Sequence, residues 1–210
     1  MEIVNPQVEG YMRSLLERYD EPVLLEMEAE AERRDFPAVG RMVGVTLELL
    51  ARSIGSARVI ELGSGFGYSA YWFARAVGEL GEVHCTEGDT ANVEKGRRWL
   101  ERAGLGARVT WHVGDALASF GAVEGEFDLV FVDINKDEYP DAWRRASERI
   151  RIGGLYLADN TISAGSGNVL GAGRVADAVR EHNRLIASDD RFISTIVPTR
   201  EGVLAALRVA

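Results

Sequence analysis

From residue 57 onward the chain alternates between short apolar runs and stretches of helical periodicity, and this alternation limits what it can fold into more than any other feature. Arg58–Leu62 is a β-branched run that leads into glycines, and helical spacing follows through Tyr71, Trp72 and Ala74. Glu82–Glu87 and Arg108–Val113 read as a second and third strand, with a helix over Ala91–Ala103 between them that ends near Gly104. Phe127–Asp133 is a fourth, with the unbroken apolar character of a strand covered on both faces. A helix around Pro140–Ile150, a strand at Leu155–Asp159 and a helix over Val175–Ile186 follow. Phe192–Val197 and Val203–Val209 then lie a short turn apart, which predicts a terminal hairpin. Alternation on this scale predicts an α/β fold, a mostly parallel sheet with helices on both faces. In such sheets ligands gather at the carboxyl ends of the strands.

The first 55 residues have a different period. Val8, Met12, Leu15, Leu16 and Tyr19 fall at helical spacing, as do Val39, Met42, Val43, Thr46, Leu47, Leu50 and Ile54. Pro22 and Pro37 mark the breaks between three helical segments. No repeat, low-complexity run or linker divides the 210 residues. The chain therefore reads as one domain, 1–210, with a helical segment over 1–55 ahead of an α/β core over 56–210.

No apolar stretch approaches the ~20 residues needed to cross a bilayer. Met1–Pro6 has neither a basic start nor an apolar run. A single cysteine, Cys85, gives no internal disulfide and no metal-ligand spacing. These observations predict a cytoplasmic protein with no membrane partner. Net charge is −9, and residues 1–40 hold ten acids against four arginines, a local net of −6. The acidic stretch reads as a solvated helix face. No basic stripe meets the needs of a nucleic-acid partner. Only two of the 24 basic residues are lysines, Lys95 and Lys136.

The first strand runs into Glu61-Leu62-Gly63-Ser64-Gly65-Phe66-Gly67-Tyr68-Ser69. Gly63 and Gly65 permit a tight turn and a close ligand approach. The helix that follows offers free N–H groups and a positive dipole end, suited to a carboxylate or phosphate. A dinucleotide site would read G-x-G-x-x-G, whereas this is Gly63-x-Gly65-x-Gly67 with an acid two residues ahead. That form resembles the S-adenosylmethionine loop of class I methyltransferases. Glu87, closing the second strand, is placed to accept hydrogen bonds from both ribose hydroxyls. Gly114-Asp115-Ala116, after the third, is similar to the adenine-contacting segment.

The fourth strand ends in Asp133 and the fifth in Asp159-Asn160. A single Asp after a strand more often caps a helix than holds a metal. The joint pattern changes that balance, because neighbouring strand ends would let three oxygens converge on one cation. Two carboxylates and an amide favour a hard ion, Mg²⁺ or another such as Mn²⁺ or Ca²⁺, over zinc.

Phe131-Val132-Asp133-Ile134-Asn135-Lys136-Asp137-Glu138-Tyr139 and Gly154-Leu155-Tyr156-Leu157-Ala158-Asp159-Asn160-Thr161 resemble the metal motifs of the cation-dependent O-methyltransferases. That family includes catechol and caffeoyl-CoA O-methyltransferases. The resemblance covers most of the chain and implies a Rossmann-like, doubly wound, seven-stranded sheet preceded by extra N-terminal helices. It implies metal ligands at Asp133, Asp159 and Asn160, and cofactor contacts at Val39, Glu61, Gly63, Ser64, Gly65, Ser69, Glu87, Asp115, Ala116 and Asp133. It also implies a catalytic base at Lys136, acting with Asp133, a small catechol-like aromatic diol as acceptor, and a homodimer. A lysine at 136 in a chain that otherwise prefers arginine fits a base, since an arginine cannot give up its proton.

The pattern departs from the plant enzymes at Asn135, where they usually carry an acid, and at Ser163, where they often carry tryptophan. The small-residue run 163–167 suggests a more open acceptor pocket. Rival readings are a tRNA wobble hydroxyuridine methyltransferase, a nicotinamide-dependent reductase and a non-catalytic binding protein. His84, His112 and His182 read as structural, Cys85 as a buried small hydrophobe, and Trp72, Trp99 and Trp143 as core. Tyr139 and the Tyr11–Met12 pair are candidates to border the diol.

Overall fold

The computed structural model describes residues 5–164 and 167–210, apart from the side chain of Ala164. Met1–Val4, Gly165 and Ser166, which the N-terminal and small-residue-run readings touch, lie outside the described residues. Helix α1 is Pro6–Ser14, started by Asn5, whose side chain accepts the Gln7 N–H at 2.9 Å. A single 3₁₀ turn, Glu17–Tyr19, leads to α2, Pro22–Arg33, and then α3, Gly40–Ser53. The two prolines act as the spacing predicts: Pro22 opens α2 and Pro37 lies between α2 and α3.

Five strand–helix steps follow. They are β1 (Arg58–Leu62) with α4 (Tyr68–Ala76), β2 (Glu82–Glu87) with α5 (Thr90–Arg102), and β3 (Val109–Val113) with α6 (Ala116–Ala122). The last two are β4 (Phe127–Val132) with α7 (Tyr139–Ala146), and β5 (Ile150–Ala158) with α8 (Arg174–Ala187). A two-stranded ribbon, β6 (Ser163–Ala164) and β7 (Gly167–Asn168), lies between β5 and α8. Strands β8 (Phe192–Val197) and β9 (Val203–Arg208) form the expected hairpin.

The seven-stranded sheet has the order β3-β2-β1-β4-β5-β9-β8 and is parallel except that β9 runs against both neighbours. The order reverses between β1 and β4, so a cleft opens at their carboxyl ends. Alternation along each strand builds two cores. Val59, Leu129, Phe131 and Leu157 face one, under Tyr71, Phe73 and Leu47. Ile60, Val130, Val132 and Tyr156 face the other, under Phe120, Trp143 and Ile186. Each fully buried large side chain contributes about 1.5–3 kcal/mol relative to exposure. Trp72, Trp99, Trp143 and Cys85 lie in these cores, as read from sequence.

Three local details differ from the pattern. Helix α6 follows β3 directly, with Asp115 as its cap; seven residues of AlaLeuAlaSerPheGlyAla give too little periodicity to show it. Strand β5 starts earlier, at Ile150; a register shift in its ladder with β4 between Phe127 and Leu129, and Gly153 at φ +78°, break the apolar period over its first residues. The acidic face of α2 is not simply solvated. Glu26 pairs with Arg102 at 2.6 Å, Glu28 with Arg41 at 2.7 Å, and Glu30 with Lys95. Glu21, just ahead of α2, pairs with Arg75. The acids thus dock α2 onto α3, α4 and α5. By contrast α1 buries no side chain, and Val8, Tyr11 and Met12 are exposed. No described helix is long and apolar enough to cross a membrane.

Candidate active site

The ladders of the central strands continue past their ends. Asp133 N–H donates to Leu62 O at 2.8 Å and Asp159 N–H to Val132 O at 3.1 Å, which sets the ends of β1, β4 and β5 in a row. Gly63 makes this possible. It has φ +85°, and a Cβ there would lie 2.4 Å from Asp133 O. A cavity of about 710 Å³ occupies the cleft above. Val39, Gly63, Ser64, Gly65, Ser69, Glu87, Asp115, Ala116, Asp133, Lys136, Asp159 and Asn160 all line it. The sequence candidates are therefore brought together, with Glu61 the exception.

Glu61 lies fully buried beneath the glycine loop rather than in the wall. Its Oε2 accepts the Cys85 thiol at 3.5 Å, and its Oε1 has no partner. Burial pushes its pKa up to about 7. Above it, the loop is held by Ser64 N–H to Thr86 O at 2.9 Å and Gly63 N–H to Thr86 Oγ1 at 3.1 Å. Gly65, at φ +51°, lies under the Phe36 ring, whose Cζ would be 2.7 Å from a Cβ. Phe36 itself leans on Phe66, with ring centroids 4.6 Å apart. On the far wall Glu87 Oε1 accepts the Asp89 N–H at 2.8 Å, and Asp115 Oδ1 accepts the Ala118 N–H at 2.7 Å. One oxygen of Asp115 is thus committed to capping α6.

The other end of the cavity is crowded with charge. Lys136 Nζ donates to Asp133 Oδ1 and to Tyr139 Oη, both at 2.7 Å. Tyr139 is fully buried and donates to Asp159 O at 2.9 Å. It therefore props Lys136 from below and does not border a diol. Tyr11 and Met12 are absent from the cavity's lining. Asp159 is 4% exposed, and its Oδ1 has no partner. Burial, and after it the Asp133 charge, hold its carboxyl above the usual range. Asn160 sits at φ +54° and its Nδ2 donates to Glu201 Oε2. A carboxylate only accepts, so this contact fixes the amide with its oxygen at the opposite side.

Glu201 and its neighbour Arg200 were not visible as site residues in the sequence. They stand in the turn between β8 and β9, about 40 residues beyond Asn160, with no motif to mark them. Arg200 Nη1 donates to Ala38 O at 2.9 Å and also to Val39 O, tying the hairpin to the loop ahead of α3. Among the described residues no three His, Cys, Asp or Glu side chains form a metal-binding group. The candidate set here is two carboxylates and an amide. Its buried orphan oxygen on Asp159, the neighbouring Asp133 and the oriented amide suit a hard cation.

The three histidines lie elsewhere. His84 Nδ1 and His112 Nε2 are 3.1 Å apart on β2 and β3, and His182 Nε2 is 2.9 Å from Tyr156 Oη in the core. Neither site reaches the cavity, as the sequence reading expected.

The O-methyltransferase family model matches residues 17–209. A catechol O-methyltransferase of Mycobacterium tuberculosis is 34% identical over 183 residues, covering 86% of this chain and 82% of the relative. A caffeoyl-CoA O-methyltransferase of Petroselinum crispum is 30% identical over 185 residues, covering 80% and 75%. The crystal structure of the O-methyltransferase TomG from Streptomyces achromogenes, in complex with SAM, superposes with TM-score 0.85 at 27% identity. It covers 97% of this chain and 96% of that one. With the strand order, the glycine loop and the paired strand-end carboxylates, these matches give one identity: the chain belongs to the class I O-methyltransferase family of the catechol and caffeoyl-CoA type, enzymes that depend on S-adenosylmethionine.

Proposed function

We propose that this chain moves the methyl group of S-adenosylmethionine to one hydroxyl of a small aromatic vicinal diol, with a divalent cation held by Asp133, Asp159 and Asn160. The observation that carries this reading is the convergence of those three residues and Lys136 at one end of a cavity whose other end is the glycine loop. When bound, the cation would supply a Lewis acid that lowers the pKa of the reacting hydroxyl. Asp133 and Asp159 would set the charge of that end, and Glu201, by accepting from the Asn160 amide nitrogen, leaves the amide oxygen free for the cation.

The cofactor's methionine end would lie over Gly63, Ser64 and Gly65 and at the start of α4 near Ser69, with Glu61 as the buried acid below. Glu87 would take the ribose hydroxyls, and Asp115-Ala116 would border the adenine. Lys136 Nζ would accept the hydroxyl proton while the oxygen attacks the methyl. The O–CH₃ bond forms, the CH₃–S⁺ bond breaks, and S-adenosylhomocysteine leaves. Holding the two reacting atoms near contact can supply ~7–11 kcal/mol of the barrier. A second copy of the chain is the partner we propose, with the exposed face of α1 as a surface it would cover.

The test is product formation from catechol and S-adenosylmethionine, with Mg²⁺ and with EDTA. Methylated catechol with Mg²⁺ and at least a hundredfold less with EDTA is expected. Full activity of Asp133→Ala in EDTA would exclude the metal role.

A further inference from the structure

A second cavity, about 400 Å³, opens next to the first and shares Asn160 with it. Its wall comes from the chain between β5 and α8 and from the start of α8: Ile162, Val169, Ala172, Val175, Ala176 and Val179. This wall is built rather than loose. Arg180 Nη1, on α8, donates to Val169 O at 2.6 Å and Gly171 O at 2.7 Å. Val169 N–H donates to Ile162 O at 2.8 Å, and Asn183 Nδ2 holds Thr161 O at 2.8 Å. Arg174 is the one charged residue among the described ones that line it, and its guanidinium pairs with Asp137 at 2.6 Å. Asp137 is next to Lys136, so the rim of this cavity meets the proposed reacting centre both there and at Asn160.

We infer that this second cavity receives an uncharged, apolar substituent of the acceptor, carried on the ring that presents its diol beside Asn160. The inference rests on the diol reading above and narrows it. The volume falls within the roughly 300–1,000 Å³ of pockets that take ligand-sized groups, well beyond the need of a lone hydroxyl. Six apolar side chains would gain from covering alkyl or aryl surface. Arg174, the single cation of the described lining, is 83% exposed and paired with Asp137, so the apolar walls offer a carboxylate or phosphate arm no buried counter-charge.

A series of catechol, 4-ethyl-, 4-butyl- and 4-hexylcatechol tests this directly. The expected result is a rise in kcat/KM of about three- to fourfold per added methylene until the cavity fills, carried by KM with kcat steady. A butyl chain ending in carboxylate should lose that gain. Calorimetric binding of the same compounds to Mg²⁺-loaded protein with S-adenosylhomocysteine should show the same slope. Ala176→Trp fills the cavity and should flatten the series; Ala172→Trp, on the exposed loop, should flatten it too with less demand on folding. A flat series with catechol well turned over overturns this inference alone, as does a slope that survives both tryptophans. Failure to methylate any of the catechols would instead remove the diol reading, and this inference with it.

Discussion

At the carboxyl ends of β1 and β2 the cavity is built from main chain, and at the ends of β4 and β5 it is built from charged side chains. The first half gets its shape from glycines: Gly63 lets the backbone run where a Cβ would lie 2.4 Å from Asp133 O, and Gly65 lets Phe36 close down. Its polar wall groups are Ser64, Ser69 and Glu87, whose carboxylate already accepts the Asp89 N–H. The second half holds Asp133, Asp159, Lys136 and Glu201 within one small volume, with a buried Asp159 oxygen left unpaired. Backbone geometry can position a ligand without knowing its charge, whereas crowded carboxylates gain only when something positive joins them. The two halves should therefore fail separately.

The largest effect should come from the second half. Asp159→Ala is expected to lower kcat on catechol by about 10³-fold, with the dissociation constant of S-adenosylmethionine within about threefold of the parent. Parallel steady-state kinetics and calorimetry would show it, and an equal loss in both would join what the structure keeps apart. Lys136→Met should cost less, about 10²-fold in kcat, again with cofactor affinity intact. Unchanged turnover would remove Lys136 as the base and leave the metal ligands standing.

Glu61→Gln probes the first half and carries a pH signature. Burial raises the folded pKa to about 7, from the usual 4.5 of a free glutamate. The folded chain thus holds a proton that the unfolded chain has already released. Ionising Glu61 costs the cofactor-free fold stability as pH climbs from 4.5, and the loss is complete above 7, on the order of 3 kcal/mol. At pH 8 the glutamine variant, free of cofactor, should melt higher than the parent while binding S-adenosylmethionine about tenfold more weakly. A variant that melts lower at pH 8 would contradict the buried-charge assignment.

The smallest expected effect lies under the second half. Burial holds His182 down to about 4 from 6.5, beside Tyr156. The unfolded chain takes up a proton that the folded one refuses, so stability is intact above about pH 6.5 and falls as pH drops toward 4. Between pH 7 and 5.5 the unfolding free energy of the parent relative to His182→Gln, measured with urea, should fall by roughly 1 kcal/mol, since the Glu61 contribution is common to both chains.

Much of this could be read from sequence, for a physical reason. The glycine loop, Glu87, Asp133 and Asp159-Asn160 each sit next to a strand end, and strand ends show in the period of the apolar residues. What stayed hidden depends on contacts between distant segments. Glu201 orients Asn160 across 41 residues, and Arg200 reaches the Ala38 and Val39 carbonyls across about 160. Phe36, just beyond the end of α2, roofs Gly65 from 29 residues away, in a fold where α2 pairs its acids with Arg41 and Lys95. Periodicity told equally of α1 and α3, yet α3 buries its apolar face and α1 does not. A period names the face of a helix, not what meets it. Asp115 reads as a site residue, and the structure also gives it the start of α6.

The separation of the two halves is tested most directly by titrating Mn²⁺ into metal-stripped protein, followed by electron paramagnetic resonance, with S-adenosylmethionine binding measured on the same samples. The expected result is one bound Mn²⁺ per chain in the parent, none in Asp159→Ala/Asn160→Ala, and cofactor binding alike in both. Undiminished Mn²⁺ binding by the double variant, or cofactor binding lost along with the metal, would contradict it.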